Sequence, residues 1–343
     1  MGRVTRGAAL VVGSAFIVEA LRQRTRDGSA MLALDLAAFV VAATVCTLRS
    51  LVVTAERGAW RLIALALTSY AVGQGLYIAF MRTDQIRPAF GPADPFYLLF
   101  YPLAYIGLFT LVRRRLSHER VHHSVWLDGI VAGLGLASLV AAVIVPAVLS
   151  MSPHGDHVRL ATALAYPVAD IFLMLVVTVS LAPLGWRPDR AMGLLAGGFT
   201  LYAFGDAVYA WQQSFGTFRP SSILEIVWVA SFTMIACAAW TRPAPSDVLS
   251  KRATRSVGLL LIPAFTTACA IGVMVVDHVS DTSSLAVALA AAALLTALIR
   301  AVFSFRELGG VAETYRQART DELTDLPNRR WFTEYLAEAI GPK

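Results

Sequence analysis

Apolar stretches long enough to cross a bilayer recur along this chain, and that recurrence limits what it can fold into more than any other feature. Crossing roughly 30 Å of hydrocarbon at about 1.5 Å per residue takes about 20 helical residues. Windows of that kind lie near 7–21, 30–48, 59–81, 95–112, 125–149, 160–182, 191–213, 222–240, 257–276 and 284–304. No single soluble core can house them, and inside lipid each must satisfy its own backbone as a helix. The sequence therefore predicts an all-α membrane protein of about ten transmembrane helices occupying residues 1–304. Composition agrees: 15% of the 343 residues are charged, where a soluble domain carries roughly 25%. The window at 7–21 is the shortest and contains Glu19; arginines follow it instead of a small-residue cleavage site, so it reads as a span and not as a removed signal.

Cationic loops are retained in the cytoplasm, so the distribution of Lys and Arg sets the orientation. With ten spans, 22 of the 29 basic residues fall on the side holding both termini and seven on the other. Both termini are thus expected in the cytoplasm. The loop holding Arg113, Arg114, Arg115 and Arg120 also carries His118, His122 and His123, a composition suited to anionic headgroups. Cys46, Cys237 and Cys269 lie inside apolar windows, which predicts buried thiols and no disulfide framework.

Two segments resemble each other. Ser69–Phe80 (SYAVGQGLYIAF) aligns with Leu201–Gln212 (LYAFGDAVYAWQ), matching Tyr70 with Tyr202, Ala71 with Ala203, Gly73 with Gly205 and Tyr77 with Tyr209. In the helix that follows each, Asp94 and Tyr97 answer Glu225 and Trp228. The copies lie four spans apart, an even number, so they cross the membrane in the same direction. This is a parallel repeat; inverted-repeat transporters need an odd separation.

A carboxylate at mid-bilayer costs roughly 2.5–3.5 kcal/mol on insertion scales, so each needs a reason. Asp170 sits deep in its span behind a Tyr166-Pro167 pair, and Asp206 lies in the middle of the seventh; Asp35 and Gln74 are deep in the second and third. Asp94, Asp128 and Glu225 lie near span ends, where capping or snorkelling satisfies them. No Lys or Arg lies deep enough to pair with Asp170 or Asp206, so both are expected to be protonated or to face water. The candidate sensory cavity is therefore Asp170 and Asp206 with Tyr166, Tyr202 and Tyr209 as hydrogen-bond donors. Gly129/Gly133 and Gly193/Gly197 have the spacing of close helix packing.

From Phe305 on the chain changes character: 13 of 39 residues are charged, against 39 of the preceding 304. Phe305, Leu308, Val311, Ala312, Tyr315 and Ala318 recur at three and four, predicting a cytoplasmic linker helix over 305–320 that pairs with a second copy of itself. Gly309-Gly310 weakens it. Pro327 then stops any incoming helix and Asn328 is a good N-cap for the next. That next helix sets Phe332, Tyr335, Leu336, Ala339 and Ile340 on one face, a stripe that must be buried against something. Residues 321–343 are accordingly expected to be the start of a further domain, truncated after its first helix.

The same residues resemble the opening signature of GGDEF domains, the bacterial diguanylate cyclases, usually written DxLTGLPNRR. It stands here as Asp321, Leu323, Thr324, Leu326, Pro327, Asn328, Arg329 and Arg330, with Asp325 where glycine is usual. The match covers about 20 residues and falls directly behind a membrane-exit helix. The ten spans are similar in outline to the multi-spanning input regions of such proteins.

The resemblance implies an α/β catalytic domain in which two GTP-loaded copies meet face to face and Mg²⁺ assists phosphoryl transfer to give cyclic di-GMP (c-di-GMP). The family's metal carboxylate, guanine-binding residues and GG[DE]EF turn lie downstream of the opening signature, so no catalytic residue carries over and the segment is expected to be inactive alone. Asp321, Asn328 and Arg329 map to the structural start of the domain. No metal or cofactor is expected in the chain itself; Mg²⁺ and GTP belong to the complete cyclase domain.

Together these readings predict the membrane-embedded sensory input region of a c-di-GMP signalling protein in the bacterial cytoplasmic membrane. Its expected partners are the lipid bilayer, a second copy through the exit helix, and a small-molecule or physical signal; nucleic acid is not among them. The alternative is a ten-helix transporter or proton-coupled carrier using the intramembrane carboxylates.

Overall fold

A computed structural model of the chain describes residues 10, 13, 28–81, 90–116, 123–150, 157–217, 223–242, 258–280, 282–317 and 326–340. Every element among them is helical: α1 (Gly28–Val52), α2 (Arg57–Met81), α3 (Asp94–Arg115), α4 (His123–Ser150), α5 (His157–Leu181), α6 (Arg190–Ser214), α7 (Ile223–Trp240), α8 (Gly258–Val279), α9 (Ser284–Gln317) and α10 (Arg329–Ile340). Eight of these, α1 to α6 with α8 and α9, are long and apolar enough to span a bilayer. The chain is a multi-pass α-helical membrane protein. The window at 222–240 becomes α7, whose 18 residues reach about 27 Å, just short of the hydrocarbon thickness. The window at 7–21 lies outside the described residues apart from isolated positions.

The chain divides into two compact units, residues 1–296 and 297–343. Composition places the boundary at 304/305; packing places it earlier, inside α9. The reason is visible along the helix: Ala286, Ala290 and Ala293 are buried, whereas Leu295, Leu298, Ile299, Val302 and Phe303 are exposed, so the apolar stretch outlasts its protein contacts. Gly309-Gly310 does not interrupt α9, which continues to Gln317.

In the first unit α1, α2 and α3 pack in sequence, as do α5, α6 and α7; α1 also packs on α7, and α3 on α5. Both outer helices of each group thus pack on the outer helices of the other. Where they meet, the core is aromatic: Tyr70 and Tyr202, partners in the sequence alignment, touch edge to face at 5.7 Å between ring centroids, with Phe232 4.8 Å from Tyr70 and Phe100 4.7 Å from Tyr202. Such pairs add about 0.5–1.5 kcal/mol beyond their burial. A second cluster, built largely of small residues including Ala137, Ala141, Ala270, Ala286 and Ala290, joins α4 to α8 and α9.

The glycine pairs separate into two kinds. A Cβ on Gly129 would lie 2.5 Å from Cα of Val179, and one on Gly133 2.5 Å from Cδ1 of Leu175; both glycines let α4 approach α5. At Gly193 the nearest atom is 3.8 Å away, in Pro188, so the expected packing role fails there. In α6 the close approach falls on Gly197, whose Cβ would lie 2.8 Å from Cε of Met234, and on Gly198, whose Cβ would lie 2.8 Å from Cγ1 of Ile235 and 3.0 Å from the Ser231 carbonyl. Of the GxxxG pair, Gly197 therefore meets α7 and Gly193 does not.

In the second unit Asn328 caps α10 as expected, its Oδ1 accepting from the Trp331 amide at 3.1 Å. Phe332, Tyr335 and Leu336 of the apolar stripe are exposed. Asp321, Leu323 and Thr324 of the opening signature lie outside the described residues.

Candidate functional site

The sequence repeat leads to the site. Gly73 and Gly205 have no side chain because an aromatic residue of the next helix stands against each: a Cβ would lie 3.0 Å from the Tyr97 ring in the first copy and 3.0 Å from Trp228 Nε1 in the second. The residue after each glycine accepts from that aromatic. The Tyr97 hydroxyl donates to Gln74 Oε1 at 2.8 Å, and the Trp228 indole N–H donates to Asp206 Oδ1 at 2.7 Å. The same pair is built twice, neutral in one copy and acidic in the other.

Asp206 does not stand alone. Tyr101 Oη lies 2.9 Å from Asp206 Oδ2 and 2.9 Å from Asp170 Oδ1, bridging the two carboxyls. Tyr101 is 1% exposed and Asp170 4%, while Asp206 is half-buried. The Tyr202 hydroxyl lies beside both Asp206 and Tyr101. Tyr105 anchors the neighbouring turn of α5 by donating to the Ala169 carbonyl at 2.5 Å. Proline follows Tyr101 in α3 and Tyr166 in α5. Each removes one helix hydrogen bond beside the cluster, and both helices continue through it.

Of the five residues read from the sequence as a cavity, Asp170 and Asp206 come together through Tyr101, with Tyr202 beside them. Tyr166 does not join: its hydroxyl bonds Asp94 at the start of α3. Tyr209 reaches the site through Trp228, their rings 5.9 Å apart. The residues sequence reasoning missed are Tyr101 and Trp228. The signals were there: Tyr101-Pro102 repeats the Tyr166-Pro167 dipeptide, and Trp228 is the repeat partner of Tyr97.

Along their own helices the basic residues nearest the two acids, Arg159 and Arg190, are about 16 Å and 24 Å away. Neither lies within salt-bridge reach along its helix. Asp35 of α1 is also buried, its Oδ1 without a hydrogen-bond partner among the described residues.

Paired charges gather at the other end of the helices. Glu56, between α1 and α2, bonds Arg115 of α3 at 2.8 Å and Arg49 of α1 at 3.3 Å, and accepts from the Trp60 indole at 3.0 Å. Arg115 also lies 3.7 Å from Asp189, whose carboxylate caps α6 by accepting from the Met192 amide at 2.8 Å. Burial pushes the Glu56 carboxyl up, but the hydrogen bonds and positive charges of Arg115 and Arg49, with Trp60, outweigh it and hold it below the ordinary glutamate range.

Chemically, the acid cluster can hold protons or a small cation; it contains no nucleophile paired with a base. Among the described residues no three His, Cys, Asp or Glu side chains come together to hold a metal ion. Comparison of the chain with protein-family models, with curated proteins and with solved structures finds no match.

Proposed function

We propose that the chain is the membrane-embedded sensory input region of a bacterial c-di-GMP signalling protein, lying in the cytoplasmic membrane with both termini inside. The observation that carries this reading is α9, one helix of 34 residues. At about 1.5 Å per residue it is about 50 Å long, more than a bilayer needs, and the LPNRR part of the opening signature follows it as the capped start of α10. A signal received among α1–α7 would act by favouring one of two arrangements of the bundle, with α9 pairing in a homodimer as the element that reports it. The exposed Phe332, Tyr335 and Leu336 suit the face by which α10 would join the body of a GGDEF domain. The matched pairs Tyr97–Gln74 and Trp228–Asp206 support a tandem duplication as the origin of the bundle.

The test is a fusion of the chain, after Ile340, to the catalytic core of an unrelated GGDEF domain, expressed in bacteria lacking c-di-GMP synthesis. The reading expects c-di-GMP to accumulate, and its level to change both with Asp206→Asn and with Ala301→Pro, which breaks α9. Equal levels in all three fusions would overturn it. The acid pair also suits a proton-coupled carrier; that reading expects proton-driven flux in proteoliposomes, abolished by Asp206→Asn.

A further inference from the structure

The two carboxyls and one phenol at the centre of the bundle do not carry enough hydrogens for the contacts they make. Tyr101 Oη is 2.9 Å from Asp170 Oδ1 and 2.9 Å from Asp206 Oδ2. A phenol has one hydrogen to donate. If both acids were ionised, one of these contacts would set two bare oxygens, one of them charged, against each other in a site that water scarcely enters. Such a contact is repulsive, and the low local dielectric makes it more so. A hydrogen on one carboxyl turns both contacts into hydrogen bonds.

We propose that Asp170, Tyr101 and Asp206 form a proton-binding site in which the two acids share a single exchangeable proton through the phenol. The remaining contacts decide where the proton rests. Asp206 Oδ1 receives the Trp228 N–H at 2.7 Å and Tyr202 stands beside it, so Asp206 is the better-supported anion. The Asp170 side chain has Tyr101 as its hydrogen-bond partner and is the acid. The resting chain runs from the Asp170 O–H to Tyr101 Oη, and from the Tyr101 O–H to the Asp206 carboxylate. Transfer is balanced: Asp170 gives its proton to Tyr101 Oη as Tyr101 gives its own to Asp206. The outcome is a neutral Asp206 and an ionised Asp170, with Tyr101 unchanged. Asp206, half-buried where Asp170 is sealed, is the side from which the proton exchanges with water.

The titratable groups facing the pair are phenols: Tyr101 and Tyr105 from α3, Tyr202 from α6, with Tyr70 of α2, Tyr97 of α3 and Tyr166 of α5 further out. From α4, the stretch Ser138–Ser150 along α5 contains none. The acid of α7, Glu225, faces Asp35 of α1. Among the described residues no cation competes with the proton from these faces. The inference rests on the count of hydrogens and not on the signalling reading, so either can fail while the other stands.

Infrared difference spectroscopy of the full chain in lipid nanodiscs tests it, with ¹³C-aspartate to assign bands. At neutral pH the expected result is a protonated-carboxyl C=O band that shifts with the isotope and is lost in Asp170→Asn. In Tyr101→Phe, which keeps the fold's bulk and needs no new polar group, the same band should move to higher frequency as its hydrogen-bond acceptor disappears. Absence of any ¹³C-sensitive carboxylic acid band in the wild-type chain would overturn the proposal. So would a band that appears only when sodium is replaced by choline, since the site would then hold a metal cation.

Discussion

Tyr101→Phe removes one oxygen from the centre of the bundle and leaves the ring in place, so its effect isolates the hydrogen bonds. The hydroxyl touches two carboxyls at 2.9 Å each. A hydrogen bond to a charged acceptor contributes about 1.5–3 kcal/mol and a neutral one about 0.5–1.5 kcal/mol. With one acid ionised and the other protonated, the loss should therefore be about 2–4 kcal/mol. The control is Tyr105→Phe about one helical turn further along α3, where the hydroxyl donates to a backbone carbonyl and the loss should be about 1 kcal/mol. Reversible unfolding of the purified chain in mixed detergent micelles, followed by the helical signal, gives both numbers. Because Asp170 and Tyr101 touch, the double variant Tyr101→Phe/Asp170→Asn should cost less than the sum of its parts. If Tyr101→Phe costs no more than Tyr105→Phe, the bridging geometry and the proton count built on it are wrong.

Gly129→Ala forces a methyl to within 2.5 Å of Cα of Val179 and should destabilise by about 1–3 kcal/mol, whereas Gly193→Ala makes only an ordinary contact at 3.8 Å with Pro188 and should stabilise by up to about 1 kcal/mol through helix propensity; equal thermal midpoints would count against the assigned α4–α5 contact. Glu56→Gln leaves Arg49 and Arg115 without their shared anion and should cost roughly 3 kcal/mol, as for a broken buried pair. Because the folded-state Glu56 titrates below its ordinary value, its contribution is complete above the unfolded glutamate range and disappears as pH falls through its own depressed range; wild type and Glu56→Gln should converge in acid, and a constant gap would refute the assignment. Asn328→Ala removes the cap of α10, worth about 1 kcal/mol, and should speed hydrogen exchange at the Trp331 amide, whose bond to Asn328 is lost.

Nine of the ten apolar windows became helices among the described residues because length and hydrophobicity alone decide the matter inside lipid. What composition could not supply was which side chains meet across the bundle. Asp170 and Asp206 were readable as costly groups needing a partner, yet the partner, Tyr101, is one of three tyrosines on α3 with Tyr97 and Tyr105, and its Tyr-Pro dipeptide marks a special position without saying that its phenol reaches the acids. Tyr166 looked equally suited and went to Asp94 instead, since helix phase and tilt, not residue type, decide which phenol reaches which acid. The glycines carry the same lesson: Gly193 and Gly197 share one spacing, and only the place where α7 approaches makes Gly197, with its neighbour Gly198, the tight contact.

The packing of the outer helices of the two halves on each other has a consequence for how the protein is made. α1 packs against α7, and the Trp240 indole donates to the Val45 carbonyl across 195 residues of chain. At roughly 5–20 residues per second, ribosomes take on the order of 10–40 s to produce that stretch. Throughout that time α1, with Asp35 in its apolar wall, waits in the membrane beside a translocon that is still delivering its neighbour. A nascent chain halted before α7 therefore carries Asp35 into the bilayer without the packing of α7 on α1 and without the Trp240–Val45 bond that ties the two helices.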